Sequence, residues 1–245
     1  MRSKTRVIVP SLCLTLLWLA PPARANTLSF AGFTWNVREQ GSSGPGPNEW
    51  RQANAFLDSR GALHLRVEKR QGKWTCAEVY TTSRLGFGTY QFQLRGKVDT
   101  LDKNLVLGLF TYPTADVGPD ATNEIDIEFA RWGSASAPAL NYTVYPARSG
   151  PAQATRAFNI VLPGDASTHR FTWASDSILF QSFSGYVNDN RNQLAQWLFK
   201  PAEPLTHVPQ APVPLHLNFW LFQGQAPSNG KNAEVVITGL TFRPR

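Results

Sequence analysis

The feature that most constrains this chain is a recurring alternation of apolar and polar residues in short runs, each bounded by glycine, proline, asparagine or serine. The runs are "ALHLRVEKR", "GTYQFQLRGKV", "NLVLGLFTY", "EIDIEFA", "LNYTVYP", "AFNIVLP", "HRFTWA", "SILFQSF", "PLHLNFWLF" and "EVVITGLTF". No apolar pattern of helical period persists long enough to build a major helix. A strand of this kind has one face to bury. Ten or more in one domain bury those faces against one another as two packed antiparallel sheets, an all-β sandwich of the jelly-roll type. The stretches "GSSGPGPN" at 41–48 and "QGQAPSNGKN" at 223–232 read as loops. Segment 187–203 admits either a short helix or a long loop. No repeat or linker divides the chain, so one domain is expected over 26–245.

The first 25 residues are set apart from that domain. Arg2, Lys4 and Arg6 precede an apolar run from Val7 to Ala20, and Ala23-Arg24-Ala25 places small residues where a signal peptidase reads them. The run is too short to span a bilayer as a stable helix. Cleavage after Ala25 and export to the periplasm or the medium are therefore expected, with no membrane span. Cleavage removes four basic residues and no acidic one, so 24 Lys+Arg against 17 Asp+Glu becomes 20 against 17, a net charge of +3 in place of +7. With no Lys/Arg cluster in what remains, nucleic-acid binding is not expected. Cys13 leaves with the signal and Cys76 stays alone, so the domain relies on its core rather than on a disulfide.

Within the strand-like runs, "NEIDIEFARWG" is chemically unusual. Residues i, i+2 and i+4 of a strand share a face, so Glu124, Asp126 and Glu128 point one way while Ile125, Ile127 and Phe129 point the other. A merely wet face mixes Thr, Ser, Lys and Glu, because adjacent like charges cost stability. Three acids in a row instead fit general acid/base and nucleophilic work on a glycosidic bond, where retaining enzymes hold two carboxyls about 5 to 5.5 Å apart. The Cα atoms of Glu124 and Glu128 lie about 13 Å apart along a strand. Two Glu side chains can close much of that gap. Asp126 between them raises the pKa of a neighbour, which keeps one carboxyl protonated near neutral pH.

Glu124-Ile125-Asp126-Ile127-Glu128-Phe129 resembles the catalytic strand of glycoside hydrolase family 16, the lichenase and laminarinase family of β-glucan-cleaving, concanavalin-like jelly rolls. The similarity extends to "CAEVYTTSRLGFGTYQFQLRGKV", with its Gly-aromatic-Gly turn at Gly86–Gly88, and to "GLFTYP", "LNYTVYP", "HRFTWASDSILF" and "LHLNFW". The resemblance implies Glu124 as nucleophile, Glu128 as general acid/base and Asp126 as the residue that orients and tunes them. It implies Glu78, Phe110, Asn141 and Trp220 as residues lining a polysaccharide or oligosaccharide cleft. With nothing inserted between Asp126 and Glu128, the motif resembles the unbulged form of lichenases and wall-remodelling transglycosylases. It requires no cofactor, admits a structural calcium, and suggests a monomer. The chain departs from the lichenase pattern at Thr122, Tyr80 and Thr143, where tryptophan, arginine and tyrosine would stand. The cysteine that would partner Cys76 is absent, so the lichenase disulfide cannot form.

Seven tryptophans remain after residue 25, and most are expected in the core. Trp220, which shares a strand face with Asn218, and Trp132, just past the acidic strand, are the two expected in the cleft. His64, His169, His207 and His216 are scattered without metal-ligand spacing and are expected to be structural or superficial. No Gly-x-Ser-x-Gly, P-loop or dinucleotide fingerprint occurs. Asn141-Tyr142-Thr143 matches a glycosylation sequon, but it lies within a strand on the expected cleft side. The resulting expectation is an exported endo-acting hydrolase of β-linked polysaccharide, β-glucan foremost. Two rivals are a transglycosylase using the same acids and a lectin-like glycan-binding domain.

Overall fold

The computed structural model describes residues 26–245. The expected signal segment, 1–25, lies outside the described residues. The first sheet is ordered β1 (Thr27–Phe30), β2 (Phe33–Val37), β8 (Ala77–Leu85), β17 (Val213–Leu221), β10 (Leu105–Thr111), β11 (Ile125–Ala130), β12 (Leu140–Val144), β13 (Ala154–Phe158). The second is ordered β16 (Gln193–Phe199), β15 (Ile178–Ser184), β14 (Ala166–Trp173), β9 (Gly88–Arg95), β18 (Ala233–Pro244), β6 (Leu63–Arg70), β5 (Ala55–Leu57), with β7 (Lys73–Thr75) paired to β6. A small hairpin of β3 (Gly41–Ser43) and β4 (Asn48–Trp50) stands apart, and one helical turn, α1, covers Pro204–His207. The strand pairs are antiparallel throughout, as the all-β sandwich reading expects.

The core lies where the alternation places it. In the first sheet Leu107 and Leu109 of β10, Ile125, Ile127 and Phe129 of β11, and Leu215, Leu217 and Phe219 of β17 are fully buried. They meet Tyr90, Phe92, Phe171, Trp173 and Phe180 from the second sheet, also fully buried. Aromatic rings bring large apolar area and prefer offset contacts. Tyr142 of β12 accordingly stacks on Phe180 of β15 at 4.8 Å between ring centroids.

One polar link crosses between the sheets behind the acidic strand. The Tyr142 hydroxyl donates to Ser182 Oγ at 2.6 Å, Ser182 Oγ lies 2.8 Å from His169 Nδ1, and His169 Nε2 lies 2.8 Å from Ser167 Oγ. Burial pushes the His169 pKa down to about 3, so the ring is neutral and its nitrogens are satisfied by the two serines. Cys76 is likewise buried and free, and burial pushes its thiol up to about 12. It is an inert core residue.

Three local expectations differ from the structure. Segment 187–203 contains neither a helix nor a continuous loop: Gln193–Phe199 forms the edge strand β16. An edge strand is half-wet on both faces, which erases the alternation, and it is held in part by Gln193 and Gln196, which accept from the Gln181 amide at 3.2 and 3.0 Å. The stretch 41–48 is the β3–β4 hairpin with its tip. In "AFNIVLP" the strand ends at Phe158. Beyond it, Leu162 is tucked into the core and its N–H donates to Asp99 Oδ2 at 2.9 Å.

Gly88, in the Gly-aromatic-Gly turn, begins β9 where that strand runs against the end of β18. A Cβ there would stand 2.5 Å from the Arg243 carbonyl oxygen, a backbone atom that cannot swing away. Gly88→Ala is expected to destabilise the fold by about 2 kcal/mol through overpacking, read as a lowered denaturation midpoint in urea with an unchanged slope.

Candidate active site

The acidic strand is regular. β11 pairs with β10 from Thr111↔Ile125 to Val106↔Ala130 and with β12 from Ile125↔Val144 to Phe129↔Leu140, without a register shift. No bulge therefore separates Asp126 from Glu128, and alternation carries Glu124, Asp126 and Glu128 to the face opposite the core. Both ends of the strand are pinned by left-handed residues, Asn123 (φ 53°) and Trp132 (φ 52°). Asn123 is held by its N–H to the Pro146 carbonyl at 2.8 Å and by its amide to the Ala147 carbonyl at 3.2 Å. Trp132 is followed by Gly133, whose N–H reaches the Lys103 carbonyl at 2.9 Å. Non-glycine residues in this region cost on the order of 1 kcal/mol or more, so the surrounding structure must enforce them.

The acids line a cleft of about 770 Å³ on the outer face of the first sheet. Its floor follows the cross-strand register. Asp126 stands opposite Phe110, Phe110 opposite His216, and His216 opposite Tyr80. The next row runs Glu128, Gly108, Asn218, Glu78. A Cβ on Gly108 would come within 2.5 Å of Asn218 Oδ1, so a larger residue here would force the Asn218 side chain to move. That oxygen is buried and has no hydrogen-bond partner.

Burial raises the pKa of all three acids. Asp126 is 3% exposed, and burial together with the charges of Glu124 and Glu128 holds it well above the usual carboxylate range. Burial also raises Glu124, against a hydrogen bond from Asp126 that favours its ionised form. Asp126 is thus the donor and Glu124 the acceptor. Burial alone pushes Glu128 up to about 7. Glu124 and Glu128 keep a partial opening to the cleft, so water moderates these shifts until a ligand displaces it. The row carries fewer than three negative charges at neutral pH, with the proton of Asp126 directed at Glu124.

The sequence-expected cleft residues divide into three groups. Phe110, Trp132 and Trp220 line the cleft, Trp132 braced edge-on by Phe222 at 5.5 Å. Glu78 also lines it, but its carboxylate is engaged: Oε2 accepts from Arg38 and Oε1 lies 2.8 Å from His216 Nδ1. Burial works to raise Glu78, and the His216 hydrogen bond with the Arg38 charge overcomes it, leaving Glu78 below the ordinary carboxylate value. Asn141 does not reach the cleft lining. It stands opposite Glu128 on β12, is 5% exposed, and spends its amide on the Ala130 carbonyl at 2.9 Å. Its amide thereby braces the end of the acidic strand, and the sequon there is buried.

Several lining residues went unnoticed in the sequence. His216, expected to be structural or superficial, stands in the cleft. The signal was present, because His216, Asn218 and Trp220 alternate on one strand, as do Phe110 and Tyr112 on another. Tyr112 donates to Asp120 Oδ1 at 2.7 Å at the rim. Arg38 had no such signal. It follows β2, whose pairing with β8 brings Arg38 beside Glu78, 40 residues on, and it also donates to Ser43 Oγ and the Gly44 carbonyl at 2.9 and 2.7 Å. Tip residues Gly44 and Pro45 of the β3–β4 hairpin wall that side of the cleft.

Among the described residues no group of three or more His, Cys, Asp or Glu is placed to hold a metal ion, so the admitted calcium finds no donor set of that kind. No described helix is long and apolar enough to cross a membrane.

No protein-family model matches the chain, and neither does any curated protein. Solved structures do. A β-glucanase of Bacillus licheniformis superposes with a TM-score of 0.65 at 18% identity, over 92% of this chain and 100% of that one. The laminarinase catalytic domain of Thermotoga maritima superposes with a TM-score of 0.67 at 18% identity, over 86% and 91%. A pseudo β-1,3-glucanase and immunostimulatory antigen of Mycobacterium tuberculosis gives 0.65 at 22% identity, over 86% and 91%. At such identities the likeness is one of fold, and the chain shares the jelly-roll architecture of these proteins.

The raised Glu128 has a consequence for stability. An acid whose folded pKa lies above its ordinary 4.5 supports the fold below that pH, and the support is lost as pH rises through about 7. Glu128→Gln is therefore expected to stabilise the protein by about 2 kcal/mol near pH 8, with little gain near pH 4. Urea denaturation at both pH values measures it; an equal gain at both would contradict a raised Glu128.

Proposed function

We propose that the protein is an exported, monomeric glycoside hydrolase of family 16 that cleaves β-linked polysaccharide, β-glucan foremost, at internal bonds with retention of anomeric configuration. The observation that carries this reading is the unbulged acidic row on the floor of a cleft lined by four neighbouring strands, with its outermost members in partial contact with solvent. The aromatic lining suits the apolar faces of sugar rings. The shared fold with β-glucanases and laminarinases supports the same reading.

The chemistry follows from the acids. Glu124, whose ionised form the hydrogen bond from Asp126 favours against burial, attacks the anomeric carbon as its carboxylate. Glu128, protonated through burial, gives its proton to the glycosidic oxygen as the bond to the leaving sugar breaks. The glycosyl group is then an ester of Glu124, and Glu128 is a carboxylate. Glu128 removes a proton from water, the water oxygen attacks the anomeric carbon, and Glu124 departs as carboxylate. Both residues return to their starting states, so no cofactor enters the cycle.

Hydrolysis of mixed-linkage glucan, laminarin, xyloglucan, agarose and carrageenan by the secreted protein tests the proposal. Glu124→Gln and Glu128→Gln are each expected to lower turnover roughly 10³-fold, and proton NMR of early product should show the anomer of the substrate. Activity that survives Glu124→Gln removes the mechanism. Products longer than the substrate assign the same acids to transglycosylation, and binding without cleavage assigns the cleft to a lectin.

The pH profile is a second test. The basic limb of kcat/KM should fall as Glu128 loses its proton, near 7. Asp126→Asn replaces the protonated carboxyl that faces Glu124 with an amide that does not titrate. It should shift that profile as well as lower turnover, and an unmoved profile would deny Asp126 its tuning role.

A further inference from the structure

One ring in the cleft is held in place with more care than the proposed hydrolysis uses. His216 lies on the cleft face of β17, one strand beyond Phe110 and two beyond Asp126. Its Nδ1 is 2.8 Å from Glu78 Oε1. Tyr80 stacks on it at 5.1 Å with 13° between the planes, and Phe110 and Tyr112 close around it at 5.1 and 5.5 Å. Glu78 is itself secured by Arg38, so it is the ionised acceptor of this pair and the proton lies on Nδ1. Nε2 is left with no partner among the described residues.

A side chain that Glu78 and three rings already hold loses little freedom when it contacts a ligand. It also lies beside aromatic faces on which a sugar can rest, two strand spacings from the acids, a span a bound oligosaccharide covers. The charges around it select the ligand. Glu78, Asp120, Glu124, Asp126 and Glu128 line the same cleft, and the cation beside them, Arg38, is spent on Glu78, Ser43 Oγ and the Gly44 carbonyl. A uronate or sulfate would find no free lysine or arginine in this lining and would face the Glu124 carboxylate.

We propose that His216 is a specificity-determining residue. Glu78 fixes its imidazole so that Nε2 hydrogen-bonds one hydroxyl of an uncharged glycan lying across Tyr80 and Phe110. The proposal rests on the glycan-cleaving reading above for the identity of the ligand, but not on turnover.

The test uses calorimetric binding in the Glu124→Gln background, with mixed-linkage glucan and laminarin oligosaccharides and their monodeoxy analogues, and hydrolysis rates in the wild-type background. With His216 present, one deoxy analogue should bind about tenfold more weakly than its parent, the worth of one good hydrogen bond. His216→Phe should weaken the parent by the same factor and no longer distinguish the two. His216→Gln, which keeps an acceptor, should recover part of the loss, and in hydrolysis KM should rise more than kcat falls. Unchanged parent binding in His216→Phe overturns the proposal, as does an equal loss for every analogue, which marks a purely structural ring. A protein that binds these sugars without cutting them loses the hydrolase reading and keeps this one. If it neither binds nor cuts them, both readings fall.

Discussion

Everything in this site depends on one packing constraint: Ile125, Ile127 and Phe129 are fully buried in the sandwich. Because side chains of a strand alternate, their anchorage forces Glu124, Asp126 and Glu128 onto the opposite face. A slip of one residue would bury three carboxylates in the core and expose three large apolar groups. The cost of that alternative is what makes the register secure. The repulsion among the acids is small beside it, and burial, joined by that repulsion at Glu124 and Asp126, keeps protons on the row.

The tight core also explains how the row tolerates its electrostatics. The strand is held by β10 and β12 on either side, by left-handed residues at both ends, and from behind by the polar link Tyr142–Ser182–His169, with Phe129 edge-on to His169 at 4.8 Å. Such scaffolding spares the acids any reorganisation during a reaction. Stability forgone by raising Glu128 is the usual trade between a functional site and the fold that carries it.

The second cleft cluster follows another logic. Glu78 lies in the same row as Glu128 but is held by a cation, Arg38, and by His216, so it stays ionised where Glu128 holds its proton. Two carboxylates on one sheet face are driven in opposite directions by what each touches. The difference divides the cleft into a proton-holding region and a fixed-charge region.

The sequence by itself determined the ten strands that its alternating runs mark, the face of each that is buried, and the identity and order of the three acids, because alternation along a strand is local and needs no partner. It also marked Trp132 and Trp220, which do line the cleft, and carried an unread signal at His216 in the alternation of "LHLNFW". Only the tertiary structure decided which neighbours each acid meets. The sequence holds no sign that Arg38 would be paired across 40 residues with Glu78, that Asn141 would spend its amide on the Ala130 carbonyl, or that a polar edge strand would form at 193–199. Those outcomes depend on which strands lie side by side. That is a property of sheet topology, set by the burial of the whole core at once rather than by any one segment.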